Sequence, residues 1–482
     1  MPSANCLRSL SQLSLDATAH ATAASRFLHP RVACFSTSTA RHANNTLMKK
    51  KGMVAAPKKG VKTLNTKKSK GGGSADAGKR PAPGARKAQR KRIVLSNDNA
   101  LEVSSLKDLT KATVFSEANE GRVVGLPEPV VDALRSVDAF KVTQGWSFFR
   151  RPAVLMRKEA IHLAKLFQDV EEAATGKDKK TIRRIITGQR MGGKTTLLLQ
   201  GLSVAFLRQW FVINLPECYD IVNAHTEYAP LEGSEPTQYT QDMYTATLLS
   251  QTLKANEAYF EQAKITQKHD LNVPLPASGK LKDLIAVGMA NPDVAWPVFK
   301  ALWAELSQPG QPQILLAADG LSHMMRNSDY LNADVKPIHA HDLTIVRHFV
   351  DHLSGVKQLP NGGIVLAATS KSNARSSPAM DFRIKEAEAI KAQTSVPQWN
   401  PYTSVDKRTM DALKDLADPK ADLDILEVGG VSKEEARSIM EYYAESGMLK
   451  HQVNDVLVTE KWSLAGMGNI GELEKASVRT RL

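Results

Sequence analysis

Cysteine is scarce in this chain. Among 482 residues there are three, Cys6, Cys34 and Cys218. None lies in a CxxC pair, so nothing points to a zinc site or an iron–sulfur cluster built on cysteine. Aromatic residues are also few, at 6%. No apolar run reaches the ~18 residues needed to cross a bilayer, and the long apolar stretch of a secretory signal is missing. At the front of the chain the rarest side chain is acidic. Residues 1–92 hold 20 of the 64 Lys and Arg but only two acids, Asp16 and Asp76. The formal charge of +14 therefore resides in an arm, and the remaining 390 residues are close to neutral.

That arm divides in two. Residues 1–40, with Arg41 just beyond, combine Arg8, Arg26 and Arg31 with many Ser, Ala and Thr. Leu7, Leu10 and Leu13 recur at helical spacing beside Arg8. This is the composition of a mitochondrial transit peptide, with cleavage expected between Arg31 and Arg41 and a matrix destination. Its removal would leave Cys218 alone and exclude a disulfide within the chain. Residues 41–100 are expected to form a basic disordered arm. From Lys49 to Arg92 there are 16 basic residues and one acid, with Gly, Pro and Ala between them. Such a segment buries too little apolar surface to offset its ordering entropy, and it can neutralise RNA phosphates. It contains no aromatic residue, so stacking on bases is not expected.

The length allows two or three domains. Order is expected from about Leu101. A helical lead-in covers 101–175, where Ile161, Leu163, Leu166 and Phe167 form an apolar stripe. A nucleotide-binding domain spans 176–400. A helical, winged-helix-like unit spans 401–462, and a tail follows at 463–482. In the winged unit Ser432 and Glu435 form a capping box and Gly447 ends the helix, with Ala436, Ile439, Met440 and Tyr443 on one face. The stretch HQVNDVLVTEKW reads as a hairpin turning near Asn454–Asp455.

The nucleotide-binding domain is assigned on ITGQRMGGKTT. Gly188, four residues, then Gly193-Lys194-Thr195 complete GxxxxGK[ST], the phosphate-binding loop. Small residues let backbone N–H groups curl around phosphate oxygens at the positive end of the following helix. The binding residues are Gly188, Gln189, Arg190, Met191, Gly192, Gly193, Lys194, Thr195 and Thr196. Lys194 reaches the β- and γ-phosphates, and the Thr195 hydroxyl ligates Mg²⁺. TIRRIIT before the loop is a strand, with Arg183 and Arg184 expected at its start rather than inside the sheet. TTLLLQGLSVAFLRQ is a buried helix, and WFVINLPE is a second strand.

QILLAAD supplies a further strand ending in Asp319, the acid that completes the Mg²⁺ shell. GGIVLAATS supplies a fourth, with Ser370 where a sensor of the γ-phosphate would sit. ATPases of the additional-strand type usually carry Glu after the metal-binding acid to activate water. Gly320 stands there, so hydrolysis is expected to be slow or absent. Glu217 is a possible substitute, and Arg347 and Arg375 are candidate arginine fingers. His348 and His352 have metal-ligand spacing without the HExxH glutamate, so packed histidines are the expected outcome for the group that also includes His339 and His341.

Together, FFRRPAVLMRKEAIHLAKLF, GQRMGGKTTLLLQ, QILLAADG and LEVGGVSKEEARSIMEYYAESGML resemble the death-associated protein three family of the mitochondrial small ribosomal subunit. The resemblance covers about residues 120–470, and the transit peptide resembles those of fungal mitochondrial proteins. It implies an α/β P-loop NTPase fold of the AAA+/STAND kind, with a parallel sheet, a helical N-terminal lead-in and a C-terminal winged-helix-like lid. It also implies a structural place in the head of the small subunit, contacts to ribosomal RNA and neighbouring ribosomal proteins, and GTP or GDP in preference to ATP. The alternative class is a soluble mitochondrial AAA+/STAND NTPase acting as a switch or assembly factor.

Overall fold

Five short, largely apolar runs form the centre of the protein: β1 (Thr181–Gly188), β2 (Phe211–Leu215), β3 (Ile314–Asp319), β4 (Gly363–Ala368) and β5 (Leu423–Val428). They belong to a computed structural model that describes residues 93–174, 179–269, 271, 279–371, 376–416, 418 and 421–479. The expected transit peptide and almost all of the basic arm lie outside the described residues. All five strands are parallel, in the order β5-β1-β4-β3-β2. β4 thus separates the loop-bearing strand from the Asp319 strand, the additional-strand arrangement. Ile186 stands opposite Ala368, and Ala368 opposite Asp319. Gly188, Asp319 and the residues after Ala368 consequently emerge at one edge, the carboxyl edge where ligands of parallel sheets bind.

Each strand is buried on both faces, as parallel strands require. The two-residue period sends Ile182, Ile186, Val212, Leu315, Ala317, Ile364, Leu366, Leu426 and Val428 into one core. Helices α1 (Glu128–Ser136), α2 (Lys158–Ala174) and α3 (Lys194–Leu207) cover that face. The alternate residues, including Ile185, Ile213, Leu316, Val365 and Ile425, enter a second core. It is covered by α4 (Asp242–Ala255), α5 (Leu281–Ala290), α6 (Ala295–Leu306), α7 (Thr344–Leu353) and α8 (Pro378–Lys391). A third, smaller core belongs to α9 (Lys433–Glu445), α10 (Asp455–Leu464) and α11 (Ile470–Ser477) with Phe149 and Leu155.

The open edges are managed by side chains. Asn256 bonds both the N–H and the C=O of Val212 at 2.9 Å, standing in for a missing neighbour of β2. At β5, Lys391 donates to the Ile425 carbonyl and pairs with Asp424.

Several expectations are corrected. The described chain begins at Ile93, and Leu95 and Ala100 are already buried, ahead of Leu101. The lead-in is not all helical: Val123–Gly125 and Ala153–Leu155 pair as an antiparallel ribbon. Arg183 and Arg184 lie inside β1, paired with β4 and β5. Arg183 is tolerated there because its guanidinium donates to His352 O, Ala421 O and Gln358 Oε1 at the amino edge of the sheet. The sheet takes β5 from beyond residue 400, inside the range read as a helical unit. The expected hairpin is absent: Asn454 caps α10 by accepting from Leu457 N at 2.8 Å. Without that hairpin the C-terminal unit is three helices and not a winged helix. Its capping box at Ser432 and Glu435 is present, with Gly447 in the left-handed region after α9.

The histidines serve the second core. His348 meets Trp303 and Phe299 edge to face, and His352 meets Trp303 edge to face and lies tilted against His348. Among the described residues, no group of three or more His, Cys, Asp or Glu is placed to hold a metal ion. Burial, reinforced by His352, holds His348 well below the usual histidine range. Burial, with His339 beside it, holds His341 at about 3. Both rings fold as neutral imidazoles. The unfolded chain protonates them near pH 6.5 and the folded chain does not, so their contribution is full above that pH and is lost as pH falls. Stability by urea unfolding should drop by roughly 2–4 kcal/mol between pH 7 and pH 5. His348→Phe should remove about half of that slope; an unchanged slope would show that the ring titrates alike in the folded and unfolded chains.

Candidate functional site

The loop starts where β1 leaves the sheet. Gly188 has φ +143°, and a Cβ there would lie 2.6 Å from the carbonyl oxygen of Val428 on β5. Only glycine fits so close an approach. The chain then turns through Gln189, Arg190, Met191, Gly192 and Gly193 into α3, whose first residues are Lys194, Thr195 and Thr196. No side chain caps the amino end of α3. Its first-turn amides have no helical partner, which leaves them for an anion. Lys194 folds across the loop and donates to Gly188 O at 3.1 Å and Gln189 O at 2.6 Å. Burial first, and Lys371 second, pull its pKa down to about 8. The donor set and the glycine cradle fit a polyphosphate.

Thr195 and Asp319 are brought together across 124 residues of sequence: the Thr195 hydroxyl donates to Asp319 Oδ2 at 3.1 Å. Burial raises the Asp319 carboxyl above the usual range, opposed by Lys141. A hydroxyl and a carboxylate side by side at the loop fit a hydrated divalent cation. Ser370 follows β4 at the same edge, and its carbonyl accepts from Ser322 Oγ at 3.3 Å. The Thr369 hydroxyl is committed to Ile186 O.

The position after Asp319 explains its own residue. Gly320 has φ +92° and donates its N–H to Ala368 O as the chain turns into Leu321–Met324. A glutamate there would be strained. Glu217, the possible substitute, is bound by Lys141 at 3.2 Å. Arg347 pairs with Asp351 on its own helix at 3.0 Å. Arg375 lies outside the described residues.

Several supports went unread in the sequence. Lys141 reaches Glu217, Asp319 and the Pro216 carbonyl from a segment ahead of the sheet. Buried Arg157 joins the loop to the start of the C-terminal unit, donating to Gly192 O and to the carbonyls of Gly429 and Gly430. From the start of α11, Asn469 Nδ2 donates to Arg190 O at 2.8 Å and Gly471 N to Met191 O at 3.1 Å. These residues have partners far away along the chain, and no local periodicity marks them.

The family model described as "Mitochondrial ribosomal death-associated protein 3" matches residues 154–476. The chain is similar to the small ribosomal subunit protein mS29 of Neurospora crassa, with 44% identity over 86% of this chain and 87% of that one. It is similar also to mS29 of Schizosaccharomyces pombe, with 23% identity over 76% of this chain and 73% of the relative. For mS29 of Mus musculus the identity is 21%, over 63% and 71%. The family match takes in Arg157, the loop, Asp319 and Asn469; Lys141 lies ahead of it.

Proposed function

The chain belongs to the mitochondrial ribosomal death-associated protein 3 family, and on that premise we propose that it is a structural component of the mitochondrial small ribosomal subunit, in the matrix. It holds GTP or GDP at the loop as a fixed cofactor, with little or no hydrolysis. Relatives named as small-subunit proteins support the ribosomal role. The observation that carries the cofactor reading is the contrast at the carboxyl edge of the sheet. The binding elements are in place, with Lys194 at the loop and Thr195 on Asp319. The group that would activate water is not: Gly320 occupies its position in a left-handed turn, and Glu217 is ion-paired.

In this reading the α3 amides and Lys194 hold the phosphates, and Thr195 and Asp319 hold the water shell of Mg²⁺. When bound, the metal would neutralise phosphate charge. With no base positioned among the described residues, the attacking water gains no general-base assistance from them, a factor of roughly 10²–10⁴ in rate. Guanine is preferred on family grounds. Ribosomal RNA is the proposed partner of the basic arm.

Sedimentation tests the assignment. Full-length tagged protein from detergent-lysed mitochondria, run through a gradient at high salt, should co-migrate with small-subunit ribosomal RNA, because screening strips loosely held basic proteins. Nucleotide extracted from that fraction should be guanine. Migration near the free monomer, or an adenine nucleotide with measurable turnover, would instead indicate a soluble NTPase.

A further inference from the structure

Asp319 ends β3 and Glu217 follows the neighbouring β2, yet the cation between them is part of the protein. Lys141 Nζ lies 3.2 Å from Glu217 Oε2 and 3.5 Å from Asp319 Oδ2, and it also donates to the Pro216 carbonyl. Those contacts use the three donors of an ammonium group. Its side chain is 20% exposed. The same Asp319 Oδ2 that faces Lys141 accepts from Thr195. The ammonium therefore competes for the oxygen that a divalent ion would use.

The lysine does not reach this position by a loose swing of its stem. Its backbone N–H donates to Gln144 Oε1 at 2.8 Å, and the same oxygen accepts from Trp146 Nε1 at 2.6 Å. Asn214 on β2 donates to Val137 O, and Gln251 on α4 donates to Asp138 Oδ2. Phe140 is buried, edge-on to Trp146 at 5.2 Å. A segment outside the loop, α3 and the sheet is thus pinned on both sides of residue 141, with its charge aimed at the carboxylates.

We propose that Lys141 is a resident counter-ion for Asp319 and Glu217, so that the loop binds nucleoside di- or triphosphate with little dependence on a divalent cation. This rests on the reading of the loop as a nucleotide site. In a loop of this kind with a bare acid, phosphate and carboxylate repel one another and the metal is needed to join them. Here the phosphate meets a carboxylate pair whose combined charge the shared ammonium has already halved. A divalent ion gains less, because it must displace an ammonium group to reach the same oxygen. Lysine suits the role as a compact point charge.

The test measures the affinity of full-length protein for a fluorescent GDP analogue, in excess Mg²⁺ and in EDTA. Wild type is expected to lose less than about tenfold on chelation, whereas Lys141→Met, with its acids unpaired, should lose about a hundredfold or more. Lys141→Arg, keeping the charge, should return most of the metal independence. A merely structural lysine would alter stability and leave the Mg²⁺-to-EDTA ratio unchanged. A wild-type loss of about a hundredfold overturns the inference while leaving the loop a nucleotide site. Absence of binding in either condition overturns the site reading and the inference with it. If Lys141→Met does not fold, the wild-type ratio alone decides.

Discussion

Alanine in place of Lys194 is expected to lower guanine-nucleotide affinity by roughly a hundredfold or more, at no cost to the nucleotide-free fold. The ammonium is buried against two loop carbonyls, and burial pulls its pKa to about 8. Below that pH the group is charged in both folded and unfolded chains and the folded state bears the desolvation penalty, which is relieved only as pH rises from about 8 towards the free-lysine value near 10.4. At pH 7, therefore, removing the charge should leave thermal stability unchanged or slightly raised. Thermal unfolding with and without GDP separates the two effects. At a hundred times its dissociation constant GDP should stabilise wild type by about 2.7 kcal/mol, and at the same concentration it should barely move the variant. Equal stabilisation of both proteins would remove Lys194 from the site. If the nucleotide is a fixed cofactor, the variant should also assemble poorly in the high-salt gradient.

Gly188→Ala should damage the fold itself, by roughly 2–4 kcal/mol in urea unfolding. Its added carbon would lie 2.6 Å from Val428 O and 3.4 Å from the carbonyl carbon and Cβ of the same residue. Gly188 and Val428 are partners in the β1–β5 ladder, so relief means moving an edge strand. Nucleotide affinity should fall as well, since the loop springs from this residue. A variant within about 0.5 kcal/mol of wild type would show that the two backbones do not approach so closely in solution. The two substitutions divide the loop's roles: one is a charge held at some expense of stability, the other a packing requirement.

The sequence was most readable where physics is local. A buried parallel strand is a continuous apolar run, and β2, β3 and β4 follow that rule. The phosphate loop is contiguous, so its chemistry shows in eleven letters. β5 was missed because Asp424 and Glu427 interrupt its apolar pattern; both are tolerated because the strand is an edge. Asn454–Asp455 was misread because asparagine serves turns and helix caps alike, and the neighbouring valines favoured a hairpin. Here its side chain caps α10. Arg183 was pushed to the start of its strand because nothing local announces that carbonyls from residues 352 and 421 will receive it. Lys141 was invisible for the same reason: its meaning is made entirely by residues 216, 217 and 319.

The bonds from Asn469 and Gly471 to the loop carbonyls of Arg190 and Met191 also set a timetable. A chain made from its N-terminal end completes GQRMGGKT long before residue 469 exists. Until then the Arg190 and Met191 carbonyls lack these donors, and the contacts that close this side of the loop span about 280 residues. Such distant closures form late in folding. Nucleotide capture would then report that nearly the whole chain has been made and folded, and a product halted short of α11 would carry every letter of the motif without the wall that steadies it.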